Sequence, residues 1–135
     1  MSAFSLKIVT PDGLIFDGQA EKLIVRTNEG DMAVLAKHID CVAALGMGMA
    51  TVVDAEGQRK TAACIGGLLS VNNGNVTLVP TTFEWAESID AARAQLSQER
   101  AEKVLRDSNA SSTDIALAEA RLHRALVRKS VASYK

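Results

Sequence analysis

Residues 88–135 contain neither glycine nor proline, although the chain has nine Gly and two Pro. The last glycine is Gly74 and the last proline is Pro80. Every strong punctuator of local structure therefore lies earlier, and the tail is rich in Ala, Leu, Arg, Glu, Gln and Lys, the good helix formers. Charge divides the chain at the same place. Residues 88–135 hold nine Lys/Arg against six Asp/Glu, and residues 1–87 hold six against ten. A two-part organisation follows, residues 1–87 and residues 88–135, with a basic helical second part.

The first part reads as short strands. Residues 4–8 alternate apolar and polar, the period of a half-buried strand. Thr10-Pro11-Asp12-Gly13 supplies turn chemistry, and strands are expected to resume at residues 14–16 and 22–27. Asn28-Glu29-Gly30-Asp31 breaks the pattern. Apolar runs then follow at 32–35, 41–45 and 47–53, the last two separated by Gly46. A turn at Glu56-Gly57 leads into residues 59–65. Gly66-Gly67, set between two apolar runs, reads as a bulge or corner. A phosphate-cradling loop would need a helix N-terminus after the glycines, and none follows. Asn73-Gly74 is a hairpin signal. Pro80 is expected to end the last firm strand, and Phe83-Glu84-Trp85 leads into the tail. Eight to ten short strands predict an all-β sandwich or flattened barrel.

In the tail, Ser88 is the expected N-cap of a first helix, with Asp90 in its first turn and Ile89, Ala92, Leu96 and Val104 along one stripe. Residues 108–113 read as a loop, in which Ser111 and Asp114 resemble a capping box. Ile115, Ala118, Leu122 and Ala125 form the stripe of a second helix. Each helix of about 18 residues would be roughly 27 Å long, and a short loop makes them an antiparallel hairpin. The fold class is thus α+β in sequence order: an N-terminal β-sandwich or flattened barrel, then a two-helix hairpin.

Several function classes find no support. Net charge of −1 gives no general drive toward nucleic acid, and the basic tail has no aromatic interleaving. No window approaches the ~18 apolar residues of a membrane span, so no direct membrane insertion is expected. The N-terminus has no charged segment followed by an apolar one, so a cytoplasmic chain is expected. Cys41 and Cys64 lie in apolar runs and read as buried thiols. His38 and His123 are too few and too far apart for a metal site. A nucleophile–base pair is not evident either, which argues against an enzyme. Arg121, Arg124 and Arg128 recur at steps of three and four on the second helix. They form either a solvated face or a docking stripe for an acidic partner.

Taken in order, the motifs resemble those of the epsilon subunit of bacterial F-type ATP synthase. They are Ile8-Val9-Thr10-Pro11-Asp12-Gly13, Glu29-Gly30-Asp31-Met32-Ala33-Val34-Leu35 with His38, Gly66-Gly67-Leu68-Leu69-Ser70-Val71, Asn75-Val76-Thr77-Leu78 and Ile89-Asp90-Ala91-Ala92-Arg93-Ala94. The resemblance implies a non-catalytic rotor subunit of a proton- or sodium-translocating enzyme, peripheral on the cytoplasmic side of the inner membrane. Its sandwich would bind the gamma subunit and rest on the c-ring, with Glu29, Asp31 and His38 facing rotor neighbours. The hairpin would extend along gamma and restrain ATP hydrolysis, Arg121, Arg124 and Arg128 meeting an acidic segment of the catalytic beta subunit. No cofactor is implied as a requirement. Some relatives bind regulatory ATP through a motif matched here by Ile89, Asp90, Arg93 and Ala94, with Arg124, Arg128 and Glu84 as further ligands. Where the family typically has Pro-Gly-His and Ala-Pro, this chain has Ala36-Lys37-His38-Ile39-Asp40. The competing reading is a stand-alone ATP or anion sensor using the hairpin arginines.

Overall fold

A computed structural model describes residues 2–134. The chain divides into two compact units between Trp85 and Ala86. The first contains β1 (Phe4–Thr10), β2 (Gly13–Thr27), β3 (Gly30–Val34), β4 (Cys41–Ala44), β5 (Met47–Asp54), β6 (Arg59–Asn72) and β7 (Asn75–Trp85). In β1 the alternation works as the pattern predicts: Phe4, Leu6 and Ile8 are buried, and Lys7 is exposed.

Pairing closes the unit on itself. β1 runs antiparallel to β2 and parallel to β7; β7–β6, β6–β5 and β5–β2 are antiparallel, which completes a ring. β3 is added to β2, and β4 to β6. Long β2, β6 and β7 each serve both faces, so the ring is flattened into a sandwich around an aliphatic core that includes Leu6, Ile8, Leu23, Val25, Leu69 and Leu78. Closure removes most strand edges from solvent.

Seven strands replace the expected eight to ten because two pairs of runs fuse. Residues 14–16 and 22–27 are one strand, in which a register shift between Ala20 and Lys22 hands β2 from β1 to β5. Residues 59–65 and 68–71 are also one strand, bent at the glycine pair. Gly66 and Gly67 have φ of +68° and +103°, and a Cβ at Gly67 would collide with the Val79 carbonyl. The glycine corner is therefore real. Pro80 does not end the last strand. It sits buried opposite Gly67, where the bend already interrupts the ladder, so its missing N–H is tolerated and β7 continues to Trp85. Asn73 and Gly74, both at positive φ, make the tight turn between β6 and β7, as a two-residue turn of the mirror-image type requires.

The second unit is a 3-10 turn (Ala86–Ser88), α1 (Ala91–Arg106) and α2 (Ser112–Ala132). Asp90, not Ser88, caps α1, its side chain accepting the Arg93 N–H at 3.1 Å. Ser88 is held in the preceding turn, and a carboxylate is the better acceptor at a positive helix end. Ser111 and Asp114 form the expected capping box. The seam between the helices is narrower than the predicted stripes. Ala94 and Ala101 of α1, and Ala118, Ala125 and Ala132 of α2, are buried at seven-residue spacing. Ala92 and Leu96 point outward instead, about 160° around the helix from Ala94 in each direction. Alanine on both helices favours close approach of the backbones. Gln98 accepts a hydrogen bond from Lys129 Nζ across the seam at 2.8 Å.

Candidate partner-binding surfaces

The β2–β3 turn is built by Thr27, whose Oγ1 donates to the Gly30 carbonyl (2.7 Å) and accepts the Glu29 N–H (3.1 Å). Glu29 is thereby fixed in an exposed turn. Asp31, the second residue of β3, pairs with Arg26 across β2 at 3.4 Å. Both side chains are more than half exposed, so the pair contributes at most about 1 kcal/mol and leaves Asp31 accessible. His38 lies past the other end of β3, whose five residues span roughly 17 Å. The three rotor-facing candidates are thus not one cluster. His38 Nδ1 donates to its neighbour's carbonyl, Ile39 O, at 2.8 Å, which requires the proton on Nδ1.

A surface that the sequence reading did not single out lies on β4, β6 and β7. Val42, Leu68 and Val79 are 71%, 52% and 46% exposed. In register, Ala44 faces Leu68 and Leu68 faces Val79, with Val42 two residues along β4 from Ala44. These side chains share the outer face of one sheet. Leu35 and Ile39, also exposed, belong to the loop that leads into β4. The readable signal was the run 41–45: its outward positions, Val42 and Ala44, are as apolar as its inward ones, which is the mark of a strand meant to be covered on both sides.

On the hairpin, Arg121 and Arg124 are exposed and Arg128 is half-buried. Among the residues of the nucleotide-type motif, Ile89 and Ala94 are almost fully buried, and the Asp90 carboxylate caps the helix. Asp90 and Arg93 are exposed, and Arg93 is the one of the two whose side chain is not engaged as the cap. Glu84 is half-buried on β7, opposite Ala63. Exposed Leu96, Leu117 and Leu126 add apolar area to the helices.

Cys64 is buried, and burial pushes its thiol up to about 12 because the thiolate would be desolvated. Cys41 is a half-buried free thiol. Among the described residues no His/Cys/Asp/Glu cluster could hold a metal ion. Among the same residues no helix is long and apolar enough to cross a membrane.

The structure defines a class of architecture: a β-sandwich unit with an apolar outer sheet face, followed by a two-helix unit that bears exposed arginines. Comparison with known proteins assigns it further. Residues 3–86 match the family described as "ATP synthase, Delta/Epsilon chain, beta-sandwich domain", and residues 87–133 match "ATP synthase, Delta/Epsilon chain, long alpha-helix domain". The chain is 41% identical over 132 residues to the ATP synthase epsilon chain of Bacillus velezensis, covering 98% of each. It is 38% identical over 130 residues to that of Caldanaerobacter subterraneus subsp. tengcongensis, covering 96% of this chain and 94% of the relative. A sodium ion specific epsilon chain from Acetobacterium woodii is 34% identical over 104 residues, 77% of this chain and 78% of the relative. The fold matches a chain of the Euglena gracilis mitochondrial ATP synthase structure "OSCP/F1/c-ring" with TM-score 0.86 at 23% identity, over 100% of this chain and 83% of that one. The chain belongs to the ATP synthase epsilon chain family.

Proposed function

We propose that this chain is a central-stalk subunit of an F-type ATP synthase, without a catalytic site of its own, that joins gamma to the c-ring and restrains ATP hydrolysis. The sandwich is the fixed part. Its apolar face of Val42, Ala44, Leu68 and Val79, with Leu35 and Ile39 at the rim, suits a long-lived protein contact, and gamma is its partner. Glu29 and Asp31 face the c-ring at the other end of β3; His38 lies at the gamma-facing rim. The whole chain sits on the cytoplasmic side of the inner membrane through these contacts. Whether the enzyme moves protons or sodium ions is set outside this chain.

The hairpin is the movable part. The observation that carries this reading is its seam, which is lined by alanines. An alanine side chain is small, so each buries little area and the helices gain little from the contact. A weakly held pair can exchange between a folded and an extended state, and a partner shifts that balance by its differential affinity. Extended, Arg121, Arg124 and Arg128 reach an acidic segment of the catalytic beta subunit and form bidentate pairs with carboxylates.

ATP is not required. The motif residues fit it only in part, since Ile89 and Ala94 are buried and Asp90 is engaged as a cap. Arg93 and Arg124, one on each helix, are the exposed groups suited to phosphate, with Arg128 half-buried beside Arg124. ATP, where it binds through both helices, favours the folded state.

The test compares ATP hydrolysis by the purified complex carrying the full chain, a chain ending at Glu87, or Arg121→Ala with Arg124→Ala. Faster hydrolysis by both altered forms at equal assembly is expected. Wild-type rates from both would leave the chain a coupling subunit without a brake. A chain that enters no such complex would return the anion-sensor reading.

A further inference from the structure

The loop between β3 and β4 carries Leu35, His38 and Ile39 beside the apolar face. Two local bonds shape it, from the His38 N–H to the Leu35 carbonyl (3.2 Å) and from His38 Nδ1 to the Ile39 carbonyl (2.8 Å), with Lys37 held at φ +65°. That conformation is unfavourable for a residue with a Cβ, so the turn is not self-sustaining by preference. A third bond comes from far away. Asp40 Oδ1 accepts the backbone N–H of Asn73 at 2.9 Å, across 33 positions of sequence.

The two ends of this bond differ in rigidity. Asn73 begins the tight turn whose flanking residues, Asn72 and Asn75, are paired in the β6–β7 ladder. Asp40 immediately precedes β4, whose last pair with β6 is Cys41 with Val71. One step further along, Asp40 stands beside Asn72 and Asn73, and the carboxylate extends the β4–β6 pairing past its final residue. Ile39 is the next residue back along the chain.

We propose that Asp40 is a positioning residue of the partner-facing surface. Its carboxylate ties the loop to the β6–β7 turn, so that Ile39 and His38 stand in line with Val42 before the partner arrives. This rests on the reading of the β4–β6–β7 face as a docking surface. A loop already in place does not have to be ordered on binding, and that ordering is a direct charge against affinity. The Asn73-Gly74 turn is set by its own backbone, so it survives loss of the tie.

The experiment uses the full-length chain as Asp40→Ala, Asp40→Asn, Ile39→Ser and Val42→Ser. Three quantities are read: amide exchange at Asn73, the urea midpoint, and the rate of dissociation from an F1 complex stripped of its own copy and reloaded. For Asp40→Ala we expect faster Asn73 exchange, a midpoint close to wild type, and dissociation about five-fold faster, the scale of one hydrogen bond. Asp40→Asn keeps an acceptor oxygen and restores both exchange and dissociation. Ile39→Ser speeds dissociation with Asn73 exchange unchanged. Wild-type dissociation of Asp40→Ala with the Asn73 amide freed overturns the proposal, as does an Asn73 amide indifferent to residue 40. Wild-type dissociation of Ile39→Ser together with Val42→Ser overturns the docking reading itself.

Discussion

Overfilling the alanine seam tests how the hairpin is held and what its opening does. Ala101 and Ala125 are 3% and 2% exposed, one on each helix. Leucine at either position adds three carbons where the helices already touch. Overpacking of this kind costs about 1–3 kcal/mol. At about 2 kcal/mol the folded-to-extended ratio falls roughly thirty-fold, and an extended population of about 1% would rise to about a fifth. Ala116→Leu is the control, since residue 116 is exposed on α2 and the same carbons there meet solvent. The assay is hydrolysis by the reconstituted complex, paired with a cross-linking readout of hairpin closure through cysteines placed at Gln98 and Lys129, which are bonded across the seam. Ala101→Leu and Ala125→Leu should lower both hydrolysis and the cross-linking yield, and Ala116→Leu should lower neither. An opened hairpin with unchanged hydrolysis would refute the link between opening and restraint. A hairpin that still closes around leucine would refute the tight seam.

Other consequences can be checked on the isolated full chain. Gly67→Ala should lower stability by more than about 2 kcal/mol, because a Cβ there adds a backbone collision to an unfavourable φ; a urea melt measures it. Asp90→Ala should cost about 1 kcal/mol of hairpin stability and Asp90→Ser very little, by circular dichroism melts, because either side-chain oxygen can cap Arg93. Cys64 makes stability depend on alkaline pH. Its folded-state thiol lies near 12 against 9.0 when exposed, so between those values the unfolded chain holds fewer protons and stability falls as pH rises. The contribution is full below pH 9; Cys64→Ala lacks the group, so the wild-type minus variant stability difference should fall as pH rises across that window in pH-resolved denaturation.

The fold was legible where one residue type has one physical use. Asn73-Gly74 needs two positive φ values, the glycine pair needs a corner, and a tail without glycine or proline needs helices; all three are found. Strand counting failed where extended backbone passes through polar or interrupted sequence. Asp17-Gly18-Gln19 reads as a break, yet it pairs with residues 5–7 of β1, because ring closure rewards continuity that local pattern does not record. Pro80 misled for a related reason: its neighbour across the ladder is a glycine at a bend, which only the folded chain reveals. The second helix's stripe was right at Ala118 and Ala125, whereas the first was placed on Ala92 and Leu96, away from the Ala94–Ala101 seam. Burial per residue favours leucine, but two antiparallel helices can approach most closely through alanine, and geometry set the face.

The same distinction bears on the run Ile89-Asp90-Ala91-Ala92-Arg93-Ala94. As a string it resembles a ligand motif; folded, its members have separate structural duties. Ile89 is buried at the helix entrance, Asp90 accepts the otherwise free Arg93 N–H, and Ala94 opens the seam that Ala101 continues. An apolar residue, a cap and a small residue three or four positions on are what the start of a close-packed helix demands, with or without a nucleotide. In this chain the run is accounted for by the helix start, so its presence is a weak guide to ATP. The informative position is the one without a folding duty. Arg93 is exposed on α1, and replacing it should leave the hairpin's melting unchanged. Arg93→Ala that melts like wild type but loses ATP-dependent protection of the hairpin would assign the arginine to nucleotide. Equal protection in both proteins, or none in either, would mean that the motif serves the helix alone.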